Sequence, residues 1–217
     1  TSSPLRLSCW RATATELMPV LDLTAAQEAD LAPVIAHVRS GGLVAYPTET
    51  VYGIGGACSI EASARVCEVK GRREAKALIA LISGYESVSA LQWTPGAKRL
   101  ASTFWPGPLT LVLGDPTGIF PDGVRNAENE TVAVRMSPHS VVSRLVQELG
   151  EPLTSTSLNR SGEPPITTGA EALDFLDQLK MSEVWLIDGG SLPPSAPSTI
   201  VDCTNNPQSV LREGAIP

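Results

Sequence analysis

Leu43-Val44-Ala45-Tyr46-Pro47-Thr48-Glu49-Thr50 sets four apolar residues against a proline and three polar ones. The apolar four read as a short buried strand, because an unbroken apolar run leaves no face for water. Pro47 stops that strand. Thr48, Glu49 and Thr50 therefore emerge at its C-terminal edge, where ligands of open α/β sheets bind. Gly53, Gly55 and Gly56 follow as G-x-G-G. No helix begins directly after them, and the spacing is not the G-x-G-x-x-G of a dinucleotide fingerprint.

Outward from this strand, helices and strands alternate. Upstream, Thr24 is read as the cap of a helix reaching Arg39, with Leu31, Val34, Ile35 and Val38 on one face. Pro33 is expected to weaken its first half, and Ser40-Gly41-Gly42 to end it. Downstream, Ser59 caps a helix over residues 61–69 that delivers Lys70 and Arg72 at its C-terminal end. Further strands are expected over 78–82, 109–113, 131–135, 153–156 and 184–188, and helices over 98–104 and 141–149, the second stopped by Gly150. Residues 199–203 and 209–213 read as a last strand pair. Several late strands lie too close together for crossover helices. The expected fold class is therefore α/β with a mixed parallel and antiparallel sheet.

At 217 residues and 42% hydrophobic content the chain is long enough for one sizeable core, and it is read as one domain over 1–217. Four cysteines include no C-x-x-C pair, and with two histidines there is no zinc spacing. Free thiols in a reducing compartment are expected. No apolar run approaches the roughly 20 residues of a membrane span, and the N-terminus lacks the apolar core of a secretory signal. These readings point to a cytoplasmic protein without membrane contact, although Arg6 and Arg11, with no acid in residues 1–15, leave an organelle transit segment open. A net charge of -7 argues against tight nonspecific nucleic-acid binding, which depends on Lys and Arg contacts to phosphates.

Against that acidic background, residues 65–76 hold Arg65, Lys70, Arg72, Arg73 and Lys76 with Glu68 and Glu74 as the only acids. Arginine forks and lysine point charges together suit a polyphosphate; cations at a helix C-terminus also suit the helix dipole. Ser157-Leu158-Asn159-Arg160-Ser161-Gly162 adds small hydroxyl and amide groups that can bond phosphate or a nucleobase. Arg135 ends a strand. No Walker loop and no Gly-x-Ser-x-Gly occur, so a nucleotide site must be assembled from scattered strand ends. Asp188, Asp202 and Glu49 could hold magnesium through water and phosphate oxygens, but acids at strand ends also form turns.

Tyr46-Pro47-Thr48-Glu49-Thr50-Val51-Tyr52-Gly53, Lys70-Gly71-Arg72, Trp105-Pro106-Gly107-Pro108-Leu109-Thr110, Val132-Ala133-Val134-Arg135, Ser157-Leu158-Asn159-Arg160-Ser161-Gly162, Ser198-Thr199-Ile200-Val201-Asp202 and Leu211-Arg212-Glu213-Gly214 occur in this order. The set resembles the YrdC-type threonylcarbamoyl-adenylate synthases over residues 26–216, in the short, single-domain form, with residues 1–25 as an N-terminal extension. The resemblance implies a twisted mixed sheet flanked by helices around a basic cavity. It implies an enzyme, a nucleotidyltransferase joining L-threonine, bicarbonate and ATP, with magnesium, into threonylcarbamoyl-AMP and pyrophosphate for tRNA modification. By the same resemblance Lys70 and Arg72 are catalytic, and Lys70, Arg72, Lys76, Ser157, Asn159 and Arg212 bind ATP. Thr48, Tyr52, Arg135, Ser155 and Ser198 would then bind threonine, Arg135 through its carboxylate. No metal ligand set is implied. A downstream tRNA-modifying threonylcarbamoyl transferase is the implied partner, together with a weak tRNA contact.

The chain departs from the family pattern at Leu81, where many members carry a histidine near the threonine side chain, and at Ala77, Leu158 and Ala196-Pro197. A leucine cannot bond the threonine hydroxyl, so discrimination against similar amino acids is expected either to be weaker or to be supplied by another group. Two rival readings are an RNA-binding module of the same fold without synthase activity, and a paralogue that activates another carbamoyl acceptor.

Overall fold

The structure, a computed structural model, describes residues 10–12, 18–23, 30–71 and 78–217, and for 10–12 the backbone alone. In chain order the elements are β1 (Trp10–Ala12), β2 (Pro19–Asp22), α1 (Ala32–Arg39), β3 (Leu43–Pro47), β4 (Tyr52–Gly55), α2 (Ile60–Val69) and β5 (Ile79–Leu81). A short 3-10 turn at Tyr85–Val88 leads to α3 (Pro95–Phe104), β6 (Leu109–Gly114), β7 (Arg125–Asn126), β8 (Thr131–Arg135), α4 (Ser140–Leu149) and β9 (Leu153–Ser157). The chain closes with α5 (Gly169–Gln178), β10 (Val184–Asp188), β11 (Thr199–Asp202) and β12 (Ser209–Arg212).

The described strands form one sheet in the order β1-β2-β10-β3-β4-β9-β5-β8-β6-β11-β12, with β7 paired on β8. β10 runs parallel to β2 and β3, β5 parallel to β8, and β6 parallel to β11, while β4, β9 and β12 pair antiparallel. A mixed sheet flanked by helices is thus what the chain builds, as its crowded late strands required.

Why β3 reads as an unbroken apolar run is plain from its two faces. Leu43 and Ala45 pack in a core with α2 and α5 residues such as Val66 and Leu176. Val44 and Tyr46 point the other way, into a core with Val34 and Val38 of α1 and Leu145 of α4. A third core joins α3 to β6 and β8 through Ala97, Ala101, Leu111 and Val134. Each helix supplies one apolar face, and together they cover the sheet on both sides.

Several local expectations are met at the level of single atoms. Ser59 caps α2 by accepting the Ala62 N–H at 3.1 Å, and Gly150 ends α4 in the left-handed conformation at φ 77°. Residues 199–202 and 209–212 pair antiparallel as the last strands. One expectation is corrected. α1 begins at Ala32, not in the twenties, and Pro33 falls in its first turn, where its missing N–H has no intrahelical partner to lose; the proposed cap, Thr24, lies outside the described residues.

Candidate functional site

Polar side chains from several strand ends and loops meet in one cleft of about 400 Å³. Thr48 and Thr50 come from the turn after β3, Arg135 from the end of β8, and Ser155, Ser157 and Asn159 from β9 and beyond, with Gly53 of β4 beside them. Ser198, before β11, and Arg212, at the end of β12, complete the lining. β4 can lie against β9 because of its glycines. A Cβ at Gly55 would sit 1.6 Å from the Thr154 carbonyl oxygen, so no side chain fits there.

Lys70 caps the C-terminus of α2 and is almost wholly buried. Its ammonium donates to the Ser157 carbonyl oxygen, to Asn159 Oδ1 at 2.6 Å and to Ser157 Oγ at 3.4 Å. The Ser161 N–H returns a bond to the Lys70 carbonyl at 3.3 Å, while Asn159 Nδ2 donates to the Glu163 carbonyl at 2.5 Å. The K-G turn and the S-L-N loop, far apart in sequence, are thereby stitched into one unit. Leu158 between them is fully buried in the core shared by α2 and α5, which holds the loop's backbone in place. Ser157 and Asn159 line the cleft; Lys70 lies behind them.

At the other pole, Arg135 Nη2 donates to Glu49 Oε1 and, at 3.4 Å, to Thr50 Oγ1. Ser137 Oγ donates to Glu49 Oε2 at 2.6 Å, so one carboxylate clasps both groups. Arg135 Nε is buried without a hydrogen-bond partner. A buried guanidinium N–H left open in this way costs free energy until an acceptor arrives. Arg212 donates from Nε and Nη2 to the Ser198 carbonyl at 3.0 and 2.7 Å and from Nη2 to Ser198 Oγ at 3.0 Å. Burial, reinforced by the Arg135 charge, holds the Arg212 guanidinium below its ordinary value. Two guanidiniums close enough to repel make this wall a place where an anion is favoured.

Thr48 lines the cleft, yet its hydroxyl is committed to the turn. Oγ1 donates to the Val51 carbonyl at 2.7 Å and accepts the Thr50 and Val51 N–H groups at 3.2 Å each. Tyr52 is not among the lining residues. Its ring packs with α2 and α5, and its hydroxyl donates to the Gly190 carbonyl at 2.8 Å and accepts the Gly189 N–H at 3.0 Å. Arg72 and Lys76 lie outside the described residues. Leu81 is buried against α4 rather than in the cleft, so it offers nothing to a substrate side chain there.

The three acids proposed for magnesium are not brought together. Asp188 Oδ1 accepts the Gly190 N–H at 2.8 Å and Asp202 Oδ1 the Thr204 N–H at 2.9 Å, so each shapes its own turn. Among the described residues no group of three His, Cys, Asp or Glu side chains is placed to hold a metal ion. Burial pushes Cys58 up to about 12 and Cys203 up to about 11, which keeps both protonated at neutral pH. Thr50, Thr156, Pro165 and Pro197 are among the lining residues to which the sequence assigned no role. Glu49, read from the sequence as a magnesium candidate, instead holds Arg135 and Ser137.

Residues 36–214 match the Sua5/YciO/YrdC family, described as Telomere recombination. The chain belongs to this family. It is 39% identical to a threonylcarbamoyl-AMP synthase of Pyrococcus abyssi over 83% of this chain and 52% of that protein. It is 36% identical to a threonylcarbamoyl-AMP synthase of Chromohalobacter salexigens over 79% of this chain and 91% of that one. The crystal structure of P. abyssi Sua5 complexed with L-threonine superposes with a TM-score of 0.77 at 36% identity, covering 85% of this chain and 54% of that chain. This chain therefore spans about half the length of the Pyrococcus relative it matches. No helix among the described residues of this Sua5/YciO/YrdC member is long and apolar enough to cross a membrane.

Proposed function

We propose that this chain joins L-threonine, bicarbonate and ATP into threonylcarbamoyl-AMP and pyrophosphate, supplying an activated carbamoyl group to a transferase that modifies tRNA. The observation that carries the reading is one cleft lined by Arg135, with its open Nε, and by Arg212, Ser157 and Asn159. Relatives named for this reaction, and a relative's structure with threonine bound, add their support.

In this reading the threonine carboxylate takes the open edge of Arg135, beside Thr48, Ser155 and Ser198. The amine condenses with bicarbonate, a C–N bond forms, water leaves, and the product is a carbamate. One carbamate oxygen attacks the α-phosphorus of ATP; the bond from that phosphorus to the β-bridging oxygen breaks, and pyrophosphate departs with the electron pair. Ser157, Asn159 and Arg212 face the phosphates, with Lys70 fixing the loop and Arg72 and Lys76 following it in sequence. Their donors offset the charge that builds on the leaving group. Among the described residues the acids form no cage for magnesium; in this reading the ion arrives with ATP. A carbamate is a weak, short-lived nucleophile, and its capture depends on being held next to phosphorus.

The test is pyrophosphate release by the purified chain with ATP, magnesium and bicarbonate, comparing L-threonine, L-serine and no amino acid, with mass analysis of the adenylate. Threonine-dependent release with the mass of threonylcarbamoyl-AMP is expected. A folded sample that releases none with any amino acid would overturn the reading.

A further inference from the structure

A second cleft, of about 630 Å³, opens between the 3-10 turn and α3 and shares no lining residue with the first. It is lined by Tyr85, Glu86, Ser89 and Trp93 together with Lys98, Arg99 and Ser102 of α3. Tyr85 and Trp93 lie with ring centroids 4.8 Å apart, and Trp105 backs both at 6.0 Å. Two of the chain's four tryptophans are thus spent in one place.

The polar handles of these rings are already used. Trp93 Nε1 donates to the Val88 carbonyl at 3.0 Å, and Trp105 Nε1 to the Leu109 carbonyl at 2.7 Å. What the rings have left to offer is their faces, and Tyr85 remains 37% exposed. Lys98 and Arg99 are exposed on adjacent positions of α3, and neither side chain has an ion pair or hydrogen bond among the described residues. Thr94 caps the helix by accepting the Ala97 N–H at 3.1 Å, which fixes the turn that carries the two cations.

Flat π-faces beside two unpaired cations ask for a ligand that is planar at one end and anionic at the other. We propose that this cleft binds a single nucleotide, with the base stacked on Tyr85 and Trp93 and the phosphate on Lys98 and Arg99. Glu86 supplies an acceptor for an exocyclic amine, which favours a base with a donor on its pairing edge. The nucleotide is either free or one unpaired residue of a strand, since base and phosphate are the same in both.

The test follows the Trp93 indole N–H resonance of the full chain during titration with cytidine 5′-monophosphate, ribose 5-phosphate and a 5′-phosphorylated tetracytidylate. The monophosphate should shift the Trp93 signal saturably, and ribose 5-phosphate should bind far more weakly. Tyr85→Ala should weaken binding by about five- to a hundredfold, the range for removing one base–aromatic stack. Lys98→Glu with Arg99→Glu should lower the salt slope of tetracytidylate binding by about 1.4. A tetranucleotide that binds much more tightly than the monophosphate identifies a strand as the source, and equal affinities identify the free nucleotide. The proposal is overturned if no probe moves Trp93, if ribose 5-phosphate binds as well as the nucleotide, or if the variants bind like the parent chain. Threonine-dependent pyrophosphate release by the same variants should stay at the parent rate, which separates this cleft from the first.

Discussion

The two poles of the polar cleft hold their cations in different ways. At one pole the Lys70 ammonium meets three neutral oxygens of Ser157 and Asn159, and both partners line the cleft. At the other, Arg135 meets the Glu49 carboxylate, which is itself gripped by Ser137. The Lys70 bonds fix two side chains that line the cleft, so that pole is built to hold a loop in place. The Glu49 carboxylate takes one nitrogen of the arginine and leaves Nε without a partner. The Arg135 pole therefore keeps an open edge for an incoming acid while sharing its charge with Glu49.

The largest effect is expected from Lys70→Ala. Removing the ammonium frees the Ser157–Asn159 loop that faces the phosphates, and turnover should fall by about 10²–10³, as for a transition-state donor moved out of place. Pyrophosphate release, with circular dichroism to verify folding, reads this directly, and a parent-like rate would dissolve the contrast. Arg135→Ala should instead act on the amino acid. The threonine KM should rise by about 10–100-fold, the worth of a charged hydrogen bond, with a smaller change in kcat. An unchanged threonine dependence would discard the carboxylate role.

Glu49→Gln sharpens the comparison further, because it keeps the shape and removes the charge. Without threonine the variant should melt about 3 °C lower, reflecting about 1 kcal/mol of charge assistance lost. Added threonine should then raise its Tm by more than it raises the parent's, since Arg135 no longer shares its charge with a neighbouring carboxylate. Equal threonine shifts in the two proteins would show that Glu49 does not compete for Arg135.

The smallest effect concerns pH. Burial holds His139, beside Glu49, below its ordinary value, although the Glu49 charge pulls the other way; His37 is lowered by burial too. The unfolded chain therefore takes up protons at higher pH than the folded one. The stability these groups contribute is complete above about pH 6.5, falls as pH drops through that value, and levels off once the folded histidines protonate. Denaturation midpoints at about pH 7.5 and about pH 5.5 measure the fall, and His139→Gln should flatten it; an equally steep fall in the variant would exclude His139 as a source.

Much of the fold was legible along the chain because it rests on local signals. An apolar run with a proline marks β3, Ser59 marks the start of α2, and Gly150 marks the end of α4. β1, β2, β4, β7 and α5 escaped that reading. β4 carries two glycines in four residues, which hides any strand preference, and at Gly55 β9 passes too close for a side chain. α5 opens with the capping box Thr168 and Glu171, a signal present in the sequence but preceded by Pro164 and Pro165. In the site, seven of the residues taken from the family resemblance do converge on the cleft, Thr48 and Arg135 among them.

The sequence alone determined the residue types at each strand end, the basic run after α2 and the order of motifs that identifies the Sua5/YciO/YrdC family. Tertiary structure alone decided which of those groups meet. Arg135 and Glu49 lie 86 positions apart, and Lys70 and Asn159 lie 89. That Tyr52 turns into the core and Thr48 spends its hydroxyl on a turn was equally hidden. The physical reason is range. Periodicity, caps and turns are set by neighbours within a few residues, whereas a cleft is set by the pairing order of strands, and that order is decided by which apolar faces bury each other.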